Sequence, residues 1–291
     1  MSVSPASLPE LPELPGLPEP SEAVIVSTLR AAGCVFAEDE ARLLVETART
    51  PAHLAGMVER RVAGLPLEHV LGWAEFCGLR VTVAPGVFVP RRRTELLVTQ
   101  AVEHARRAAY APGAIPRRPV VVDLCCGTGA LGVALAAALG PVELHAADID
   151  PVAVECARHN LAAMGGHVHA GDLYAPLPVT LRGRVDVLMA NAPYVPTGAV
   201  GLLPSEARDH EPRVALDGGE DGLDVLRRVI AEAPGWLAPG GVLLVETSER
   251  QAPLLAEMAR GDGLAARVVE DDEMDATAVM FVRPGGHRTP A

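Results

Sequence analysis

From Ser21 to about residue 72 the apolar positions recur three and four residues apart, the helical period. Val24, Thr28, Leu29 and Ala32 predict one helix, capped by Ser21 and closed by Gly33. A second helix is predicted from Ala37 to Ala48. Thr50-Pro51 reads as a cap followed by proline at the first helical position, where its fixed φ and missing N–H do no harm. Leu54, Met57, Val58 and Val62 carry this third helix to Gly64. Over residues 73–93 the period falls to two. Leu79, Val81 and Val83 alternate with Arg80 and Thr82, Pro85-Gly86 reads as a turn, and Val87-Phe88-Val89 as a second short strand, so a hairpin is expected.

From Thr94 onward helix and strand alternate. Helices are predicted at Thr94 to Ala109, Ala130 to Leu139, Val152 to Met164 and Leu223 to Trp236. Strands are predicted at Val120 to Val122, Glu143 to Ala147, Val185 to Ala190 and Val242 to Glu246, with a loop from Pro112 to Pro119. This alternation implies an α/β fold, a parallel sheet covered by helices on both faces. Residues 1–20 carry Pro5, Pro9, Pro12, Pro15, Pro18 and Pro20, a density that no helix survives, and are expected to be a polyproline-like disordered tail. The expected organisation is therefore a tail (1–20), a helical domain (21–72), a hairpin linker (73–93), an α/β domain (94–285) and a short flexible tail (286–291). A helical domain of roughly fifty residues buries too little surface to be comfortable alone.

Composition narrows the classes. The 291 residues are 49% apolar, ample for a core, and carry 25 basic and 37 acidic side chains for a formal charge of −12; every basic residue is arginine. That balance disfavours non-specific duplex binding, which rests on neutralising phosphates. The longest uncharged run lies between Asp123 and Glu143 and approaches the length of a membrane span. It contains Gly127, Gly129, Gly132, Gly140 and Pro141, so a strand, a glycine loop and a helix account for it better. No membrane span or secretion signal is expected, and the five cysteines, odd in number and without zinc-like spacing, fit a reduced cytoplasmic compartment. His167 and His169 would share one face of a strand, but without a third ligand no metal site is assigned.

Four stretches carry candidate chemistry. In Val121-Val122-Asp123-Leu124-Cys125-Cys126-Gly127-Thr128-Gly129-Ala130 a strand ends, a glycine loop turns and a helix begins. Ligands of such sheets sit beyond the carboxyl ends of the strands, and Gly127 and Gly129 let backbone approach a ligand closely. An acid before the loop suits a cationic ligand rather than a pyrophosphate, although a tight strand–helix turn would look the same. In Ala146-Ala147-Asp148-Ile149-Asp150-Pro151, Asp148 stands where a carboxylate grips a ribose diol, whereas Asp150 fits a helix cap before Pro151. In Gly171-Asp172-Leu173-Tyr174, Asp172 could accept from an adenine amino group or simply close a turn. In Asn191-Ala192-Pro193-Tyr194, Pro193 drives Ala192 into extended backbone, placing its carbonyl beside the Asn191 side-chain carbonyl. Two fixed acceptors can bind both N–H groups of a planar –NH₂, with Tyr194 available to pack on its face.

Together these stretches resemble the class I S-adenosylmethionine-dependent methyltransferases, and within them the HemK/PrmC family of protein-(glutamine-N5) methyltransferases. The likeness extends to Arg60-Arg61 through Gly72, Val89-Pro90-Arg91-Arg92-Arg93-Thr94-Glu95, Glu211-Pro212 through Leu223, Leu237-Ala238-Pro239-Gly240-Gly241, Glu246 and Gln251. It implies a mostly parallel seven-stranded Rossmann-like sheet, S-adenosyl-L-methionine as cofactor, and a protein substrate, the Gly-Gly-Gln loop of a peptide-chain release factor. It also implies cofactor contacts from Asp123, Cys125, Cys126, Gly127, Thr128, Gly129, Asp148, Ile149, Asp172, Leu173 and Asn191, and acceptor contacts from Asn191, Ala192, Pro193 and Tyr194. The helical domain and hairpin would then recognise the partner. Three residues depart from the family pattern. Ala192 replaces the first proline of Asn-Pro-Pro-Tyr and keeps a carbonyl while losing stiffness. Cys125 stands where glycine is common. Arg92 and Arg93 replace a proline and an acid, leaving three consecutive arginines that could face solvent, an acidic partner or RNA. The departures keep open amino-methylation of a nucleobase, of a small-molecule amide, or cofactor binding without turnover.

Overall fold

The computed structural model describes residues 21–109, 117–261 and 263–285; the expected tails 1–20 and 286–291, and most of the loop expected at Pro112 to Pro119, lie outside them. The chain divides between Leu67 and Glu68 into two units. The first holds three helices that pack on one another, α1 (Glu22–Ala31), α2 (Ala37–Thr47) and α3 (Pro51–Val62). Ile25 and Leu29 are the buried face of α1, correcting the expected Val24 and Thr28: Val24 is exposed and Thr28 bonds back to the Val24 carbonyl. Ser21 takes the cap position with its backbone only, whereas the Thr50 hydroxyl accepts from the His53 N–H as expected. Glu40 and Arg61 form a buried bidentate pair across α2 and α3 (2.6 and 3.1 Å), the geometry that lets a buried charge keep its solvation in protein.

The short helix α4 (Leu67–Leu71) starts at the boundary itself and its remaining residues open the second unit. It is followed by β1 (Trp73–Phe76), β2 (Leu79–Thr82), α5 (Glu95–Ala109), β3 (Val120–Leu124), α6 (Ala130–Leu139), β4 (Glu143–Asp148), α7 (Pro151–Leu161), β5 (His167–Ala170), β6 (Val185–Ala190), α8 (Ser205–His210), α9 (Asp224–Trp236), β7 (Leu237–Thr247), α10 (Ala252–Gly261), β8 (Ala265–Asp271) and β9 (Ala276–Val282). Seven strands form one sheet in the order β5-β4-β3-β6-β7-β9-β8. The first five are parallel, and β9 runs antiparallel between β7 and β8. All of β3 is buried because both faces are covered. Val120, Val122 and Leu124 belong to the core that includes α9, while Val121 belongs to the one that includes α5, α6 and α7.

The hairpin differs from expectation. β1 pairs with β2 across Cys77-Gly78, both at positive φ (51° and 71°), the conformation of a two-residue hairpin turn that follows the natural strand twist. Val87-Phe88-Val89 is a buried or half-buried loop instead of a strand, held by His69 Nε2–H donating to the Val87 carbonyl (2.8 Å) and by the Val89 N–H donating to Glu211 (3.2 Å). Sequence order climbs β3-β4-β5 along one side of the sheet and returns to β6 on the other side of β3. The carboxyl ends of β3 and β6 therefore flank the topological switch point, where ligands of open α/β sheets bind.

Candidate active site

The glycine loop follows β3 directly. Cys125, Gly127 and Gly129 all take positive φ (52°, 54° and 76°), so the chain reverses within a few residues and delivers α6 with its N-terminus toward the crevice. Cys125 is the one non-glycine residue of the three, and a side chain in this left-handed region costs about 1–2 kcal/mol. A Cβ added at Gly127 would meet nothing within 4 Å, so open space lies above the loop; one added at Gly129 would press on Ala157 and Leu161 at 3.3 Å. Burial raises the thiols of both Cys125 and Cys126, and neighbouring carboxylates push the same way, so neither is a thiolate at neutral pH.

Asp148 ends β4 beside this loop. Its Oδ2 accepts from the Gly127 N–H (2.8 Å) and its Oδ1 from the Asp150 N–H (2.9 Å), which fixes the carboxylate plane while leaving lone pairs toward the crevice. Burial raises its pKa, opposed by those two N–H groups. Asp150 instead caps α7 through the Val152 N–H. Asp172 lines the crevice but is paired with Arg228 (2.6 Å), so any adenine contact shares this carboxylate with a cation.

Cys125, Cys126, Gly127, Thr128, Asp148, Ile149, Asp172, Leu173, Asn191 and Pro193 all line a single cavity. Four expected residues do not. Asp123 is fully buried beneath the loop, its Oδ2 accepting from the Gly132 N–H of α6 (3.0 Å), and its Oδ1 has no partner. Desolvation pushes its pKa up to about 8, so it is a neutral buttress at pH 7 rather than the counter-charge expected from its place in sequence. Gly129 is packed against α7. Ala192 is buried. Tyr194 turns away from the cavity: its hydroxyl donates to Glu246 Oε1 (2.8 Å), so it is not free to stack on an acceptor.

Asn191 stands at the end of β6, its Nδ2 donating to Thr94 Oγ1 (3.3 Å) and leaving Oδ1 as the acceptor. The tetrapeptide is gripped from behind. Val195 N–H donates to the Leu216 carbonyl and Gly218 N–H to the Val195 carbonyl, a single bridge that zips the turn to the segment 216–222. A Cβ at Gly218 would lie 2.6 Å from the Pro193 carbonyl, and one at Gly222 2.3 Å from the Tyr194 carbonyl, so the glycines of this segment are a packing requirement. Gln251 Nε2 donates to the carbonyls of both Tyr194 (3.0 Å) and Asp221 (3.1 Å).

The three arginines divide. Arg91 bonds Glu211 (2.5 Å) and lies over the Phe88 ring (4.8 Å), Arg93 bonds Glu246 (3.1 Å), and Arg92 alone is exposed without such a pairing. The expectation of a free basic run is thus corrected: two of the three charges neutralise buried carboxylates of the same unit. Thr94, Asn160, Arg228, Glu246 and Gln251 support the site by side-chain bonds. Of these, Asn160 joins the Thr82 and Thr128 carbonyls (both 2.9 Å) and was invisible to motif reading. His167 and His169 fall on the edge strand β5 against His145, and among the described residues no cluster suited to a metal ion is found. Among the described residues no helix is long and apolar enough to cross a membrane; the uncharged run is the end of β3, the glycine loop and α6.

The residues at the crevice fit S-adenosyl-L-methionine: a glycine loop with open space above it, an anchored carboxylate at the end of the next strand, and an acid–base pair further along. Comparison with known proteins agrees. The methyltransferase small domain family matches residues 80–202. A release factor glutamine methyltransferase of Deinococcus radiodurans is 40% identical over 231 residues, covering 79% of this chain and 78% of that protein. One of Geobacter sulfurreducens is 38% identical, covering 70% and 68%. A 4-amino-L-phenylalanine/4-methylamino-L-phenylalanine methyltransferase of Streptomyces pristinaespiralis is 36% identical, covering 71% and 69%. The catalytic domain of human Mettl16 superposes with a TM-score of 0.52 at 14% identity, covering 77% of this chain and 81% of that one, and shares the fold alone. With the glycine loop, the anchored Asp148 and the Asn191 tetrapeptide at one switch point, the chain belongs to the release factor glutamine methyltransferase family of S-adenosylmethionine-dependent class I methyltransferases.

Proposed function

We propose that this enzyme methylates the side-chain amide nitrogen of a glutamine in a protein, the Gly-Gly-Gln loop of a release factor. The observation that carries this reading is the charge distribution along the cavity. Its acidic and basic lining residues, Asp148, Asp150, Asp172 and Arg228, come from the end of β4, the segments that follow β4 and β5, and α9, whereas the lining from the Asn191 turn, from residues 88–94 and from Val214 (Asn191, Pro193, Phe88, Pro90, Thr94 and Val214) carries no charge. An uncharged, planar –NH₂ group suits that lining; none of Arg91, Arg92 and Arg93 lines the cavity, and Arg91 and Arg93 pair with Glu211 and Glu246.

The bound cofactor supplies a methyl group made electrophilic by its sulfonium. The protein's task is to present a poor nucleophile, an amide nitrogen whose lone pair is delocalised. Asn191 Oδ1 and the Ala192 carbonyl would each accept one N–H of the carboxamide, holding the nitrogen in place. Both are dipoles with their negative ends toward the nitrogen, which stabilises positive charge as the N–C bond forms and the C–S bond breaks. The nitrogen then sheds one proton to solvent, so no side chain need act as a base before transfer. Asp148 would hold the ribose diol, and Cys125, Cys126, Thr128, Ile149 and Leu173 the walls of the cofactor pocket, with Asp172 at the adenine. The helical residues 21–72 would recognise the protein partner; Val35 and Phe36, exposed between α1 and α2, support such a role.

The test is a panel of acceptors with methyl-labelled cofactor: purified release factors, ribosomal and transfer RNA, and 4-aminophenylalanine. Label on release factor alone is the expected result. Label on RNA or on the arylamine, with none on release factor, would replace the reading with the corresponding acceptor.

A further inference from the structure

The cluster Arg93–Glu246–Tyr194 touches neither expected ligand, yet it grips the far end of the tetrapeptide. Pro193 restricts the backbone of Ala192 on one side, whereas the φ of Ala192 is as free as any alanine's, so the carbonyl that faces the acceptor hangs on one soft dihedral. Downstream, the turn is anchored through a side chain. The Tyr194 hydroxyl donates to Glu246 Oε1 (2.8 Å), and Arg93 Nε donates to the same oxygen (3.1 Å). Glu246 is a rigid post: it lies buried near the end of β7, which is paired on both sides, by β6 and β9. Its Oε2 is buried without a partner, so the carboxylate relies on Arg93 for its counter-charge. Arg93 also immediately precedes Thr94, the partner of Asn191, so two adjacent residues reach both ends of the tetrapeptide.

We propose that Arg93 is a positioning residue: through Glu246 and Tyr194 it fixes the Ala192 carbonyl, supplying the stiffness that alanine at this position lacks. Arg93 is nearly half exposed, so its value as an ion pair is small. Its effect is directional: Arg93 and Tyr194 hold the same oxygen of Glu246, so without Arg93 the carboxylate is free to turn toward water and away from the Tyr194 hydroxyl. For its catalytic consequence the inference rests on the proposed amide transfer; for the clamp itself it does not.

The experiment is hydrogen exchange on the full chain with S-adenosylmethionine bound and no acceptor, alongside methylation of release factor. The reporters are the N–H groups of Val195 and Thr197, which donate to Leu216 and Gly219 only while the turn is seated. Arg93→Gln is expected to speed their exchange about tenfold and lower kcat about tenfold, with cofactor affinity unchanged. In an Ala192→Pro background, the same substitution is expected to change both by less than twofold. Should Ala192→Pro fail to fold, Tyr194→Phe serves: once the hydroxyl is gone, Arg93→Gln should add nothing further. Equal effects of Arg93→Gln in all backgrounds, or unchanged exchange, would overturn the proposal. Because exchange needs no acceptor, a protein that leaves release factor unmethylated refutes the amide reading without touching the clamp.

Discussion

The two loops that meet at the switch point are built in opposite ways. The loop after β3 is set chiefly by its own backbone, with positive φ at Cys125, Gly127 and Gly129 and a Gly129 N–H to Cys126 carbonyl bond of 2.7 Å, and is pinned to its neighbours by three bonds: Cys126 N–H to the Ala147 carbonyl, Gly127 N–H to Asp148, and Asn160 to the Thr128 carbonyl. The tetrapeptide after β6 has one proline and no glycine, and is held by side chains and backbone distant in sequence: Thr94, Gly218, Gly222, Glu246 and Gln251. A cofactor common to many enzymes can be served by a loop whose shape lies in its own backbone conformation. An acceptor site that differs between relatives is served by a turn whose pose the rest of the unit can tune.

That contrast can be broken or sharpened by substitution. The largest effect is expected at the acceptor end, where Asn191→Ala removes a preorganised acceptor and should cost about 10²–10³ in kcat; steady-state rates with release factor check this, and near wild-type turnover would refute the role given to Asn191. At the cofactor end, Asp148→Ala should weaken cofactor binding by about 1.5–3 kcal/mol, roughly ten- to a hundredfold, in calorimetry. If the tetrapeptide is held from behind, Gly218→Ala, whose Cβ would sit 2.5 Å from the Gly222 carbonyl, should lower unfolding stability by about 1–3 kcal/mol. It should also lower kcat more than cofactor affinity.

The smallest effect is a pH slope from the buttress under the glycine loop. Asp123 keeps its proton to about pH 8 in the folded chain, whereas the unfolded chain releases it near 4. Between these values the unfolded state binds fewer protons, so stability falls as pH rises, by about 1.4 kcal/mol per pH unit at most, and levels off above 8. Denaturant unfolding of the cofactor-free protein at pH 5, 6 and 7 should show a shallower fall for Asp123→Asn than for wild type.

The same contrast explains what could be read from sequence. β3 and β6 announce themselves as apolar runs broken by a single aspartate, as strands covered on both faces do, and β4 follows from the alternation of strand and helix. The glycine loop and Asp148 are legible because glycines just past one strand and an acid at the end of the next mark the turn and the carboxylate directly. Pro85-Gly86 is a stronger turn signal than Cys77-Gly78, which nevertheless makes the turn, so sequence places the hairpin too late in the chain. The β8–β9 hairpin and α10 are not among the elements expected from sequence, although Ala276–Val282 is a largely apolar run preceded by Asp-rich turn residues. Tyr194 was expected to face the acceptor because spacing alone cannot show that Glu246, fifty-two positions on, takes its hydroxyl. Arg91 and Arg93 read as a basic patch for the same reason: their carboxylates lie more than a hundred residues away.

The most direct test of the account is peptide mass spectrometry of release factor after incubation with this enzyme and S-adenosylmethionine, run beside Asn191→Ala and with cofactor binding measured in every sample. The account predicts one added methyl, on the glutamine of the Gly-Gly-Gln loop, lost or strongly reduced in the variant while cofactor is still bound. An unmodified glutamine with the cofactor bound, or a methyl at another site of the release factor, would contradict it.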